Sequence, residues 1–389
     1  MAAEPMILFT GCEVYAPASM GVKDVLVAGG KIVAVADKIT PPTGLEVEVI
    51  SGPGRLIPGL IDCHVHIAGA GGEGGPATRT PEMTESQMLD GGITTVIGCL
   101  GTDGLTRSVE SVLMKAKSLR AEHVSCWIYT GAYQVPTPTI LGDVGRDIAL
   151  IDEVIGVGEV ALADHRSSCP TVAELIHLTE HARVGGMLGG KAGIVNIHMG
   201  DAADPFRVLY QAVEQSELKL NQFLPTHITR NDDIFADAKT YGKEGYVDIT
   251  ASSYPYYPEY ETKPSKAIKE LLEAGVPLEH ITMSSDGCGS LPDFDEQGNL
   301  VKLDTGQPAS IFQELCDAVD QEGLPLEKAL QVVTSNPADI LKLPGKGRIA
   351  PGADADLVVM DNERRIVHVV ARGAFMVKHG KMIKKGTFE

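Results

Sequence analysis

The sequence has no Cys-x-x-Cys pair, no apolar run of membrane-spanning length, no internal repeat and no excess of positive charge. Each absence removes a class of protein. Seven cysteines (Cys12, Cys63, Cys99, Cys126, Cys169, Cys288 and Cys316) are odd in number and scattered, so they read as reduced thiols of a cytoplasmic protein. The opening MAAEPMILFTG lacks a basic segment followed by a long apolar one, and neither a targeting signal nor a membrane span is expected. With 33 Lys+Arg against 52 Asp+Glu, the net charge is −19 and is spread along the chain. That balance disfavours nucleic acid and anionic membrane as partners. It leaves acidic small molecules open, because a few local arginines outweigh a distant field.

What is present, in 389 residues, is enough for one large barrel with a small module, or for two ordinary domains. Residues 1–55 carry short β-like runs broken by glycine, with Val25–Val27 and Ile32–Val35 around Gly29-Gly30 reading as a hairpin. From Leu56, eight apolar strand-like runs (LIDCHVHI, ITTVIGCL, VSCWIYTGAY, GEVALADHR, GIVNIHMG, FLPTHI, YVDITASS and ITMSSDG) alternate with amphipathic helical stretches. Such alternation predicts a parallel sheet buried on both faces. Eight units predict a closed (β/α)8 barrel over 56–344, an open doubly wound sheet being the alternative. IFQELCDAVDQEG and LEKALQVVTSNPADILKL then read as two helices, and residues 345–389 return to strand-like runs. Both chain ends are therefore expected to build one small β-sandwich beside the α/β barrel.

The stretch LIPGLIDCHVHIAGAGGEGGP ends an apolar run in His64 and His66 before opening into glycine. In an extended chain residues two apart face one way, and two imidazoles so placed make half of a metal site, with zinc the default ion. A bare His-x-His also fits a strand end with two solvated histidines. The rest of the chain argues for the metal: the fifth strand ends in His198, the sixth in His227 and the eighth in Asp286, while the fourth carries Glu159 and leads to Asp164, His165 and Arg166. In a barrel, reactive groups sit at these C-terminal strand ends.

These residues, together with the tail GRIAPGADADLV, resemble the amidohydrolase superfamily. More narrowly, GGEGGPATRT, GTDG, TGAY, DHRS, HMGD, PTHITRN and SSDGCGS, in order from Gly71 to Ser290, resemble the isoaspartyl dipeptidase family within it. The resemblance implies two zinc ions per subunit: His64, His66 and Asp286 on one, His198 and His227 on the other, joined by a bridging carboxylate and hydroxide. Paired ions lower the pKa of bridging water and polarise a scissile carbonyl. Asp286 is then the general base and acid, and Tyr133 the donor to the developing oxyanion. It further implies that Glu73 holds the α-ammonium of a β-aspartyl dipeptide, that Arg166 and Arg230 bind its carboxylates, and that Thr102 and Ser290 make further substrate contacts. Family members assemble, so a homo-oligomer is expected.

The chain departs from the family's best-known pattern at the bridge, a lysine carbamate on strand four. GVGEVALADHR contains no lysine, and counting back five from Asp164 puts Glu159 in that place. Lys191, before strand five, is expected at the wrong end of the barrel. Other signals carry less. His177-Leu178-Thr179-Glu180-His181 fits H-x-x-E-H but falls on an outer helix, and the glycines from Gly69 to Gly75 lack the Gly-Lys-Ser/Thr of a phosphate loop. Cys63 and Cys288 read as small buried hydrophobes. The rival readings are another amidohydrolase, such as a cyclic amidase or deaminase, and a non-catalytic binder on a degenerate barrel.

Overall fold

In the computed structural model, which describes residues 5–389 apart from Pro53 and Glu296, the two chain ends meet in one sheet and the middle forms a barrel. Residues 1–4 of the N-terminal segment lie outside the described residues. The N-terminal strands are β1 (Met6–Tyr15), β2 (Ser19–Ala28), β3 (Lys31–Ala36), β4 (Val47–Ser51) and β5 (Arg55–Pro58). The barrel strands are β6 (Leu60–Val65), β7 (Ile93–Gly98), β8 (Ser125–Thr130), β9 (Val154–Leu162), β10 (Ile194–Met199), β11 (Phe223–Thr226), β12 (Val247–Thr250) and β13 (Ile281–Ser284). A hairpin of β14 (Ser290–Phe294) and β15 (Leu300–Thr305) follows, and β16 (Leu357–Met360), β17 (Ile366–Ala371), β18 (Ala374–Lys378) and β19 (Lys381–Met382) close the chain.

Helices α1 (Glu85–Leu89), α2 (Val109–Ala121), α3 (Val144–Leu150), α4 (Val172–Gly189), α5 (Arg207–Glu214), α6 (Asp232–Tyr241) and α7 (Pro264–Glu273) follow β6 to β12 in turn, and α8 (Ser310–Asp320) follows β13 after the hairpin. This is the βα repeat expected from the alternation. Every residue of β6, β7, β9 and β10 is buried, as a strand covered by helices outside and side chains inside must be. Parallel ladders run unbroken from β6 to β11, and β12 pairs with β13. The ring closes where Asp286 N–H donates to His64 O (3.1 Å) and His66 N–H to Gly287 O (2.9 Å). Across the other seam, β11 and β12 are joined by side chains: Thr226 Oγ1 donates to Asp248 Oδ2 at 2.7 Å, and His227 Nδ1 meets Thr250 Oγ1 at 2.7 Å.

In the terminal sheet, ordered β19-β18-β17-β16-β5-β1-β2-β3 with β4 also on β1, β5 is the join. It pairs in parallel with β1 and antiparallel with β16, so residues from both ends share a core in which the rings of Phe9 and Phe375 meet edge-on at 6.3 Å. Pairing in this sheet continues to Pro58, and Gly59 makes the passage into the barrel. The β2–β3 hairpin turns on Gly29 and Gly30, with φ of 58° and 76°, the left-handed values of a two-residue turn. Buried Lys346 ties the sheet to the barrel, reaching Asp356 Oδ2 (2.5 Å), Asp354 Oδ2 (2.8 Å) and Ser125 Oγ at the start of β8 (2.6 Å). One reading needs adjustment: LEKALQVVTSNPADILKL forms two helices, α9 (Leu326–Val332) and α10 (Ser335–Ile340), instead of one. Pro337 has no N–H and would clash with the carbonyl four residues back, so the helix stops at Val332 and restarts beyond Thr334.

Candidate metal centre and active site

Two of the side chains at the mouth of the barrel are held by backbone that few residues adopt. His227 and Asp286 have φ of 63° and 54°, a left-handed conformation uncommon outside glycine and tolerated best by residues such as Asp and His. They turn inward, beside His64 and His66 from β6 and its end, Glu159 from β9 and His198 from β10. Glu159 stands in the middle. Its Oε1 lies 3.5 Å from His66 Nε2, and its Oε2 lies 3.4, 3.0 and 3.3 Å from His64 Nε2, His198 Nδ1 and His227 Nε2. Asp286 Oδ1 is 3.0 Å from His66 Nε2 and 3.7 Å from His64 Nε2. Gly101, the first residue of GTDG, makes this possible: a Cβ there would lie 2.8 Å from His66 Cε1 and 3.1 Å from Glu159 Oε1.

The remaining ring nitrogens have their own partners. His64 Nδ1 faces Asn196 Oδ1 at 2.9 Å, His227 Nδ1 faces Thr250 Oγ1 at 2.7 Å, and His198 Nε2 faces Asp164 Oδ2 at 3.0 Å. Such partners fix the tautomer and ring orientation of a metal-ligating histidine. Burial pushes the His64 and His66 imidazoles down, but Cys99 and the carboxylates beside them outweigh it and hold both well above the ordinary histidine range. Burial likewise works to raise Glu159, and the surrounding histidines override it and keep the carboxyl well below its usual value. His227, where burial dominates, is pushed down to about 3.

The donor set fits a divalent metal. Donor atoms of His64, His66, Cys99 and Glu159 lie within 4.8 Å of one another, as do those of Glu159, His198 and His227, so Glu159 belongs to both groups. Asp286 Oδ1 is buried and faces His66 Nε2 without a well-aligned hydrogen bond, so the oxygen is not saturated by the protein's own donors. Cys99 was not singled out in the sequence. Its Sγ sits 3.8 Å from His64 Nε2 and 3.9 Å from His66 Nδ1, and its place at the end of a barrel strand was the available signal. Lys191 is remote, its Nζ bonded to the carbonyls of Ile148 and Ile151. The histidines of the H-x-x-E-H stretch lie together on α4, with His181 paired to Asp143.

Above the cluster opens a cavity of about 470 Å³ lined by Tyr133, Arg166, Arg230, Thr102, Ser290 and His165, among others. Glu73 is not itself on the lining but is bonded to three residues that are, Thr102, Arg166 and Ser290. Glu73 Oε1 accepts from Ser290 Oγ (2.8 Å), Thr102 Oγ1 (3.1 Å) and Arg166 Nη1 (3.3 Å), while its Oε2 is buried and unpartnered. Tyr133 Oη lies 2.8 Å from His198 Nδ1, and burial holds the phenol well above its ordinary pKa, hence protonated. His165 stacks edge-on against Phe294 at 5.0 Å, so it shapes the wall and is absent from the donor groups. Tyr257, Tyr260 and Glu261, which also line the cavity, come from the segment after β12 and carried no sequence signal.

Residues 217–383 match the model of the amidohydrolase family. Among solved structures, the chain is similar to the beta-aspartyl dipeptidase of the thermophilic, keratin-degrading Fervidobacterium islandicum AW-1, determined with a beta-Asp-Leu dipeptide: 42% identity, 99% of each chain covered, TM-score 0.93. A second structure of that organism's beta-aspartyl dipeptidase shares 40% identity over 97% of this chain and 99% of the other, with a TM-score of 0.88. The dihydroorotase of Desulforapulum autotrophicum is 25% identical over 96% of this chain and 93% of its own. The 42% and 40% identities over nearly the full length, on a barrel that carries a candidate metal-binding cluster at its mouth, make the chain an enzyme of the amidohydrolase superfamily, and it belongs to the beta-aspartyl dipeptidase family.

Proposed function

We propose that the protein hydrolyses β-aspartyl (isoaspartyl) dipeptides at a two-zinc centre in which Glu159 is the shared carboxylate. In this reading His64, His66 and Asp286 hold one ion and His198 and His227 the other. Bound ions supply an activated water and polarise the scissile carbonyl. Asp286 accepts the proton released at the nucleophile and returns it to the leaving amine, and the Tyr133 hydroxyl donates to the carbonyl oxygen as charge develops there. Arg166 and Arg230 take the substrate carboxylates, with Thr102 and Ser290 beside them.

The observation that carries the reading is Glu73. One of its oxygens is saturated by three donors from the cavity lining and the other is buried without one, which suits an ammonium admitted between those lining residues. A β-aspartyl dipeptide offers one ammonium and two carboxylates, a charge pattern matched by one free carboxylate oxygen and two guanidiniums. The relative solved with beta-Asp-Leu supports the same substrate class.

No helix among the described residues is long and apolar enough to cross a membrane. The reading includes a cytoplasmic homo-oligomer, which light scattering tests against the 41.2 kDa chain mass. The deciding assay sets zinc-loaded protein against β-Asp-Leu, α-Asp-Leu and dihydroorotate, before and after dialysis against a chelator. Turnover of β-Asp-Leu alone, lost with the metal and restored by zinc, is expected. Turnover of dihydroorotate instead would favour the cyclic amidase reading, to which the dihydroorotase relative points.

A further inference from the structure

One buried carboxylate touches both the metal-ligand cluster and the guanidiniums of the cavity. Asp164 is 6% exposed and follows β9. Its Oδ1 accepts from the backbone N–H of Arg166 (2.8 Å) and from Arg166 Nε (2.9 Å). Its Oδ2 accepts from Arg166 Nη2 (2.8 Å), faces His198 Nε2 at 3.0 Å and lies 3.6 Å from Arg230 Nη1. We propose that Asp164 is a positioning residue serving two sites at once, holding His198 so that Nδ1 faces Glu159 and holding the Arg166 fork over the cavity. This rests on the reading of His198 as a metal ligand and Arg166 as a carboxylate binder.

The chemistry of each group demands such a partner. An imidazole that holds an ion through Nδ1 keeps its proton on Nε2, and a carboxylate at 3.0 Å is the acceptor that selects this tautomer. A guanidinium gripped at Nε and Nη2 by one carboxylate in the bidentate manner has its plane fixed. It still presents Nη1, which here reaches Glu73. The local chain is built for the purpose. Ala163 has a φ of 57°, which turns the chain after β9, and Ser167 N–H closes the turn on Asp164 O at 3.0 Å. Gly200, at the end of β10, leaves the space: a Cβ there would lie 2.2 Å from Ala163 O and 2.5 Å from Asp164 Cα, too close for any other residue.

The test is Asp164→Asn, which keeps the size but cannot accept from both cations and the imidazole. Metal retention is measured without substrate, by elemental analysis across a chelator series, and steady-state kinetics on β-Asp-Leu are measured with saturating zinc. The expected result is about 10- to 100-fold weaker retention of one metal equivalent together with a KM raised at least about tenfold, kcat at saturating zinc falling less than KM rises. Gly200→Ala, which displaces Asp164 without altering a polar group, is expected to reproduce both losses and keeps the test open should Asp164→Asn fail to fold. Wild-type retention with an unchanged KM overturns the proposal, as does the loss of one property without the other, since a single shared carboxylate predicts both. If the wild-type protein holds metal but ignores β-Asp-Leu, the substrate reading fails, while unchanged metal retention in Asp164→Asn would still reject the role at His198.

Discussion

Oε2 of Glu159 lies 3.0 Å from Nδ1 of His198 on the neighbouring parallel strand, so a glutamate reaches the centre of the cluster without the added length of a carbamylated lysine. If Glu159 is the shared ligand, reconstitution with zinc should need no bicarbonate, and Glu159→Ala should lose most of its bound metal by elemental analysis. A carbamate resonance in protein labelled with carbon-13 bicarbonate, or full metal content in the alanine variant, would count against it.

The unpartnered oxygen of Glu73 gives a prediction about binding. Glu73→Gln keeps the shape and one acceptor but removes the charge. A hydrogen bond to a charged group contributes about 1.5–3 kcal/mol, so KM for β-Asp-Leu should rise about 10- to 100-fold with kcat much less affected. Wild-type discrimination between β-Asp-Leu and α-Asp-Leu should be about a thousandfold or more, because moving the peptide bond leaves charged groups of the site unpaired. Competing steady-state assays measure both, and equal rates on the two peptides would remove the assigned pocket.

His368, on β17, supplies a pH prediction in the terminal sheet. Burial pushes its imidazole down to about 4, with His379 and Lys378 adding to the effect and Glu48 opposing it. The unfolded chain therefore binds more protons than the native one between about pH 4 and the ordinary histidine value near 6.5. Native stability then falls as pH drops through that window. His368→Gln removes the titration, so the loss of Tm between pH 7 and pH 5 should be smaller in the variant than in the wild type. Calorimetry at the two pH values gives the comparison, and an equal loss in both proteins would show that His368 does not contribute.

Lys346 joins sheet to barrel from a buried position, with a side chain only 2% exposed. Removing it strands Asp356, itself 7% exposed, and leaving a buried charge unpaired costs about 3–5 kcal/mol. Lys346→Ala should lower stability by about that amount in denaturant titration, with the metal content of the folded fraction unchanged. A loss below about 0.5 kcal/mol would mean that solvent or a neighbour compensates the aspartate.

Much of the architecture was legible because a barrel strand and its helix write their periods into a short stretch of chain. The runs at LIDCHV and ITTVIG are buried at every position, and the βα order follows from their alternation. The pairing of the two chain ends was legible for a similar reason, since both carry short alternating strands around glycine. The break at Thr334 was also written in the sequence, in Pro337, although helical spacing on both sides masked it.

The candidate residues could be named from the sequence because strand ends are local features, and His64, His66, His198, His227 and Asp286 each stand at one. Their mutual arrangement was another matter. That Glu159 lies within 3.5 Å of all four imidazoles, that Cys99 enters the cluster, and that Asp164 reaches His198 are relations between residues that lie on different barrel strands and are far apart in the chain. No local propensity encodes such distances. Closure of the barrel brings the strand ends onto one ring, and the left-handed turns at His227 and Asp286 aim two of the side chains inward. Histidine and aspartate tolerate such a turn better than most residues, but only the packing around them holds it at these two positions, which is why the sequence names the candidate residues and only the tertiary structure brings their donor atoms within reach of one another.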